Sequence, residues 1–213
     1  MQQILVIAPS WVGDAVMAEP LYRRLAERHP GVAIDLFAPA WTLPLAARMA
    51  SVRQGVVNPF GHGALRLTER WRLGRQLAAQ SYDQAVVLPN SLKSALLPWF
   101  AGIPLRTGFV GEWRRGVLND ARTLDKTALP TMVERFCALA EAPGVLPAKP
   151  IAHPQLQVAA DSRTQALTQV GLDTARPVLA LCPGAEYGAA KRWPTAHFAR
   201  LAQDFLARGW QVW

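Results

Sequence analysis

The amino-acid sequence predicts an α/β protein, with one complete doubly wound domain followed by a second domain of the same class that is incomplete. Two patterns carry this prediction. Short runs of apolar and β-branched residues alternate with amphipathic helical patterns along the chain. The strand-like runs are apolar throughout, which is typical of a parallel sheet covered by helices on both faces. In such sheets, ligands bind at the carboxyl ends of the strands.

The first domain is predicted over residues 1–142. Its predicted strands are residues 3–8, 33–38, 55–58, 84–88 and 106–109, and its predicted helices are residues 15–28, 67–80, 92–101 and 131–140. After the fifth strand, the sequence predicts a long basic loop that ends near Lys126.

A linker separates this domain from the next one. Residues 143–156 are rich in Pro, Ala and Gly and show little periodicity. The second domain, 157–213, has predicted helices and strands at residues 161–170, 178–182, 195–208 and 210–213. A sheet of this kind needs several more strands to bury its faces, so we expect this domain to be incomplete in the chain.

Lysine and arginine outnumber the acidic residues by 23 to 15, which gives a net charge of +8. A basic surface suits nucleic acid, anionic lipid or a phosphorylated substrate, and the composition does not choose among them. Ordinary solvation of an arginine-rich surface explains the charge equally well.

The compartment is predicted from the apolar segments and the cysteines. No basic leader precedes the first apolar run, and the longest apolar stretch, 95–105, is too short to span a bilayer. Cys137 and Cys182 are far apart in apolar surroundings, so we expect two buried thiols in a reducing compartment. The sequence therefore predicts a soluble, cytoplasmic protein.

The segment Ser10-Trp11-Val12-Gly13-Asp14 joins the first strand to its helix. Gly13 permits a tight turn and a close approach of substrate to the backbone. Asp14 is predicted at the helix N-terminus, where its carboxylate can accept a proton from an attacking hydroxyl. The alternative, that Asp14 is only a helix N-cap, has about equal weight on spacing alone. The segment lacks the glycine pattern of a dinucleotide site.

The segment 106–126 interleaves basic side chains with aromatic residues and glycines. This composition suits an anionic, partly sugar-like ligand, because arginine binds phosphates and carboxylates bidentately. The alternative is a solvated loop whose charges pair internally with Glu112, Asp120 and Asp125, and the residues alone slightly favour it.

The segment 182–194 again lies between a strand and a helix. Its small residues and Lys191, just ahead of a helix start, suit a diphosphate cradle in which backbone amides and the helix dipole favour the anion. The Gly-Lys-Ser/Thr ending of a P-loop is absent. A plain connecting loop is nearly as probable on this pattern.

The sequence contains no Asp-x-Asp pair, and its four histidines have no metal-ligand spacing with one another or with the cysteines. It also lacks a Gly-x-Ser-x-Gly elbow. These patterns predict a reaction that uses neither a metal nor a cofactor.

Four stretches taken together resemble the bacterial ADP-heptose–lipopolysaccharide heptosyltransferases, glycosyltransferase family 9, and most closely the heptosyltransferase II branch. The resemblance implies GT-B architecture, with twin Rossmann-like domains, the acceptor bound by the N-terminal half and ADP-heptose by the C-terminal half. The matching stretches are Ser10 to Asp14, Arg106 to Lys126, Met132 to Phe136 and Cys182 to Pro194.

The resemblance also implies roles for individual residues. Asp14 falls on the general base of an inverting displacement at the anomeric carbon of heptose, and Lys191 falls on the position that steadies the donor diphosphate. Gly184, Glu186 and Tyr187 share the donor loop with Lys191. On the acceptor side the implied residues are Trp11, Gly13, Arg114, Arg115 and Arg122.

The implied partners are ADP-heptose and a heptosyl-Kdo–lipid A acceptor in the lipopolysaccharide inner core. The enzyme would contact the cytoplasmic face of the inner membrane peripherally, and no nucleic acid is implied. Two alternatives stay open: a related GT-B transferase or epimerase that uses another nucleotide sugar, and an inactive acceptor-binding fragment. The family's later donor motifs lie beyond Trp213 and match no residue here.

Overall fold

A computed structural model describes residues 1–61, 63–185 and 188–213. The chain divides into two compact units, residues 1–157 and 158–213. The domain bounds predicted from the sequence stay a prediction.

The first unit is built on a parallel sheet whose six described strands have the order β3-β2-β1-β4-β5-β6. This is the strand order of a doubly wound Rossmann sheet. Ile7 at the end of β1 is in register with Val87 at the end of β4, so these two strands end at one level. Ile7 also pairs with Phe37 of β2, which continues to Pro39. The strands are β1 Gln3–Ile7, β2 Ala33–Pro39, β3 Gln54–Asn58, β4 Gln84–Val87, β5 Leu105–Phe109 and β6 Asp120–Arg122.

Helices cover both faces of the sheet because successive side chains of each strand point to opposite faces. Ile4 and Val6 of β1 belong to one buried cluster, with side chains from α2, α3 and α6. Leu5 and Ile7 belong to the other cluster, with side chains from α4 and α5. The helices are α1 Val12–Met17, α2 Glu19–Arg28, α3 Leu43–Ala46, α4 Leu67–Leu77, α5 Leu92–Phe100 and α6 Met132–Ala138.

The single helix predicted over residues 15–28 is wrong, since the structure has two helices there that meet at Ala18. Pro20 lies in the first turn of α2. Proline lacks the N–H that a continuous helix needs, but it fits a first turn, where that N–H has no helical acceptor. Pro20 was therefore the sequence feature that marked the break.

The long basic loop predicted after β5 contains regular structure. A 3₁₀ turn at Arg114–Gly116 is followed by β6, which pairs in parallel with β5. The Thr107 hydroxyl of β5 donates to Asp120 Oδ2 of β6 over 2.9 Å, which ties a short polar strand to the sheet edge.

The second unit contains a parallel pair of strands between which the chain forms a helix. The elements are α7 Ala160–Gln169, β7 Val178–Leu179, α8 Thr195–Ala207 and β8 Gln211–Val212. Cys137 in the first unit is buried as predicted, and burial raises the pKa of its thiol to about 11. Cys182 is exposed, so the prediction of a buried thiol is wrong there.

Of the helices in the described ranges, none combines the length and the apolar character needed to cross a membrane.

Candidate active site

The carboxyl ends of β1 and β4 lie side by side in the middle of the sheet. After β1 the chain enters α1 and α2, which pack on one face, and after β4 it enters α5, which packs on the other face. This divergence is the topological switch point of a doubly wound sheet, where a crevice forms and ligands bind.

Asp14 is placed at this switch point, in the first turn of α1 directly after β1. The N-cap position is occupied by Trp11, whose backbone is extended and whose side chain makes no capping bond. The N-cap alternative for Asp14 is therefore wrong. The Asp14 side chain is half-buried and makes no hydrogen bond or ion pair within the residues that the structure describes. Its carboxylate is available to a ligand.

The loops beside Asp14 carry exposed indoles. Trp11 is 46% exposed, and Trp41, in the loop after β2, donates from Nε1 to the Ser10 carbonyl oxygen over 2.9 Å. That bond ties the loop after β1 to the loop after β2. The tight turn expected at Gly13 is wrong, because Gly13 lies within α1 and no positive φ occurs there. A Cβ at Gly13 would meet nothing within 4 Å, so the helix surface there is open.

Arg114 joins the ends of β4 and β5. Its side chain is fully buried, and its guanidinium donates to the carbonyl oxygens of Phe109 at 2.9 Å and Pro89 at 2.5 Å and to Asn90 Oδ1 at 3.1 Å. Burial lowers the pKa of Arg114 to about 10, against the opposing effect of Glu112. These contacts favour a positioning role for Arg114 over the direct acceptor contact that the family resemblance implied.

The loop after β5 also approaches the loop after β4 closely. A Cβ added at Gly111 would lie 2.9 Å from the Asn90 carbonyl oxygen, so this approach requires glycine. Glu112 Oε2 accepts from the Leu92 amide over 2.8 Å, which satisfies a free N–H at the start of α5. Asn90 and Ser91 were not predicted as site residues. The strand order, which places β4 beside β1, cannot be read from the sequence.

Arg115 and Trp113 project from this braced loop. Trp113 is 98% exposed and Arg115 is exposed, with no side-chain partner in the described part of the chain. Arg122 instead pairs with Asp120 at 2.6 Å and donates to the carbonyl oxygens of Ala138 and Glu141, both at 2.8 Å. Internal pairing, the alternative for this segment, thus holds for Arg122. Arg115 keeps a cation available for an acceptor.

The donor loop predicted from the sequence lies in the second unit, between β7 and α8. Lys191 ends a 3₁₀ turn that begins at Ala189, and its side chain is exposed, with no described partner. The Arg192 guanidinium donates to the Ala185 carbonyl oxygen over 3.1 Å and so closes the loop on itself. Gly184 is exposed, with open space at its Cβ position. Glu186 and Tyr187 lie outside the described residues.

In the described ranges, no three His, Cys, Asp or Glu side chains cluster in a way that could hold a metal ion.

The sheet order defines a Rossmann-like α/β protein, a class in which ligands bind at a switch point such as the one between β1 and β4. Comparison with known proteins gives the family. The model of glycosyltransferase family 9 (heptosyltransferase) matches residues 70–213, which is more than half of the chain. The chain belongs to this family, as the resemblance predicted.

Close relatives are similar over nearly the whole chain. The lipopolysaccharide heptosyltransferase 2 of Escherichia coli is 51% identical, and that of Salmonella typhimurium is 52% identical; each match covers 99% of this chain and 62% of the relative. The solved structure of the E. coli ADP-heptose lps heptosyltransferase II matches with a TM-score of 0.90 and 48% identity, covering 100% of this chain and 63% of that one. This likeness confirms the predicted GT-B-type α/β fold. The chain spans about 62% of the length of the curated relatives it matches.

Proposed function

We propose that this chain is part of an inverting glycosyltransferase that moves L-glycero-D-manno-heptose from ADP-heptose to the first heptose of heptosyl-Kdo–lipid A. Membership in the family and the names of its relatives support the reaction class. The first unit takes the acceptor and the second unit takes the donor. The protein works in the cytoplasm, at the inner membrane that carries its lipid-linked acceptor.

The single observation that carries the proposal is the position of Asp14. Its carboxylate lies in the first turn of α1 at the switch point of the sheet and has no partner among the described residues. A half-buried carboxylate without an internal partner is available as a general base.

In the proposed reaction, Asp14 accepts the proton of the attacking acceptor hydroxyl. The hydroxyl oxygen forms a bond to the anomeric carbon of the heptose while the bond from that carbon to the diphosphate oxygen breaks. Direct displacement inverts the configuration at this carbon, and ADP leaves. Trp11 and Arg115 contact the acceptor, whose phosphates attract the guanidinium of Arg115.

The donor diphosphate is proposed to bind the loop between β7 and α8. Lys191 neutralises charge on the leaving ADP, and Gly184 lets the backbone approach the phosphates. Glu186 and Tyr187 contribute to the same loop.

The test is a transfer assay on the longest natural polypeptide that contains this chain. ADP-, UDP- and GDP-sugars are each offered with heptosyl-Kdo–lipid A, and NMR reads the anomeric configuration of the product. We expect transfer from ADP-heptose with inversion. Faster transfer from a UDP- or GDP-sugar, or retention of configuration, contradicts the proposal.

A further inference from the structure

The outer surface of the layer formed by α4 and α5 exposes large apolar side chains that the proposed reaction does not use. Leu65 and Leu67 at the start of α4 are 54% and 50% exposed, Trp71 one turn later is 52% exposed, and Trp99 on α5 is 47% exposed. We call the surface formed by these four residues together with Arg72 and Arg75 the α4 face. Four large exposed apolar side chains on one helical layer are typical of an interaction surface.

The α4 face is also basic. Arg72 and Arg75 are exposed, and neither has a hydrogen bond or ion pair within the described chain. Glu69 is the acidic residue of α4, and it pairs with Arg66, with Nε and Oε1 at 2.7 Å. Because Glu69 is already paired, Arg72 and Arg75 give the α4 face a net positive charge.

The helix on the opposite side of the sheet shows the contrast. The arginines of α2 are all paired with carboxylates: Arg23 with Glu19, and Arg24 and Arg28 with Glu141. The helix α2 exposes no large apolar side chain. An arginine-rich helix in this protein can thus neutralise its cations internally, but α4 leaves two of them unpaired.

The α4 face is preformed. Arg70 is buried, and its guanidinium donates to the carbonyl oxygens of Leu65 at 2.6 Å and Ala64 at 3.0 Å, so the segment that exposes Leu65 is held in place. A Cβ at Gly74 would lie 2.6 Å from Phe100 Cβ, which shows that α4 and α5 pack closely. The two helices therefore present one continuous surface.

We propose that the α4 face docks on an anionic lipid bilayer. Tryptophan is enriched at membrane interfaces, where apolar side chains enter the boundary between head groups and acyl chains. Cations next to them are attracted to the negative surface potential of an anionic leaflet. The combination of exposed Trp and Leu with unpaired arginines matches this partner in both polarity and charge.

The position of the face fits the proposed function, on which this inference rests. The helix α4 precedes β4 in a parallel sheet, so its first turn, with Leu67, lies at the edge that also holds Asp14. Trp99 lies in the last turn of α5, towards the opposite edge, so the α4 face runs along the whole helical layer. Docking lays this layer on the bilayer surface, where the saccharide of a lipid-linked acceptor begins, with the Asp14 edge at one end of the docked face.

The test is flotation of the longest natural polypeptide with vesicles of phosphatidylcholine alone or mixed with phosphatidylglycerol, without donor or acceptor. We expect binding to the anionic vesicles that weakens with added salt. Arg72→Glu with Arg75→Glu is expected to lower the partition coefficient roughly tenfold or more, and Trp71→Ser to lower it by about tenfold.

The matched control is Arg163→Glu with Arg200→Glu, which makes the same change in net charge on α7 and α8, at exposed positions. It is expected to float like the parent, and thermal unfolding checks that every variant is folded. An equal loss of vesicle binding in the control and in the α4 variants would overturn the inference, because it would show that net charge alone drives binding. Unchanged flotation of the α4 variants would overturn it as well.

A second copy of the protein is the competing occupant. If the parent is a dimer without vesicles and Trp71→Ser makes it monomeric, the α4 face is a subunit interface and the inference fails. Transfer to a lipid-free acceptor is measured in parallel and is expected to be the same in parent and α4 variants. A protein that floats but transfers no heptose would contradict the proposed function and leave the docking result intact.

Discussion

At the scale of single residues, the loops of the candidate site depend on one buried cation, the guanidinium of Arg114. Arg114 is fully buried, and its N–H groups donate to acceptors at the end of β5 and in the loop after β4. Removing it leaves buried carbonyl oxygens without donors, and each such group costs about 1–3 kcal/mol. Arg114 therefore stabilises the loop from which Arg115 and Trp113 project.

We predict that Arg114→Met lowers the free energy of unfolding by about 2–4 kcal/mol. Arg114→Lys should recover only part of this loss, because an ammonium cannot reproduce the planar fork of a guanidinium. The measurement is chemical denaturation of the parent and the variants. The control is Arg115→Met, an exposed neighbour, which should change stability by less than about 0.5 kcal/mol. Equal stability of the two methionine variants would contradict the positioning role.

The roles of single residues were only partly predictable from the sequence. Asp14 was identified as a candidate base from its place after a strand and from a family motif, and the structure puts it at the switch point. The burial of Arg114 was not predictable, since one of its acceptors, the Pro89 carbonyl oxygen, is 25 residues away in sequence and arginine is rarely buried. The choice between internal pairing and ligand binding likewise needed the fold, and it differs between Arg122 and Arg115.

At the scale of elements, α6 begins with a complete capping box. Thr131 Oγ1 accepts from the Glu134 amide at 3.2 Å, and Glu134 Oε2 accepts from the Thr131 amide at 2.8 Å. Lys149 Nζ lies 2.6 Å from Glu134 Oε1 and so ties residues of the predicted linker to α6. Lys149 and then Thr131 lower the pKa of Glu134 from 4.5 to about 2.

This shift predicts a pH-dependent contribution to stability. The folded pKa of Glu134 lies below its unfolded value, so the contribution is present above about pH 4.5 and is lost as the pH falls towards 2. Glutamine preserves the cap but has no charge. We predict that Tm of Glu134→Gln is below that of the parent above pH 5 and that the difference narrows as the pH falls from about 4.5 towards 2. Glu27→Gln on α2, an exposed control, should show no such gap. A difference in Tm between the parent and Glu134→Gln that does not change with pH would contradict the lowered pKa of Glu134.

Most helices and strands were predictable as elements, since their apolar periodicity is strong, but three features were missed for different reasons. The helix α3 has four residues, which is too short to show a helical period. The break between α1 and α2 was overlooked although Pro20 marks it. The short strand β6 has no apolar run, and it forms because β5 offers an unpaired edge and Thr107 binds Asp120. Tertiary pairing, not local propensity, decides such a strand.

At the scale of the whole molecule, strand order decides which residues share a site. The order β3-β2-β1-β4-β5-β6 puts the loops after β1 and β4 side by side, although they are about 80 residues apart in sequence. Apolar strands do not reveal their neighbours, because every parallel pairing buries similar side chains. The family resemblance supplied the fold that the periodicity alone left open.

The central claim is that this switch-point edge holds the general base of a heptosyltransferase. The most direct measurement is kcat for heptose transfer by Asp14→Asn, in the longest natural polypeptide, with Glu27→Gln as a control that removes a carboxylate from the neighbouring helix. We predict that Asp14→Asn lowers kcat by roughly 10²–10⁴-fold, with little change in the acceptor KM, and that Glu27→Gln matches the parent. Turnover by Asp14→Asn within a few-fold of the parent would contradict the claim.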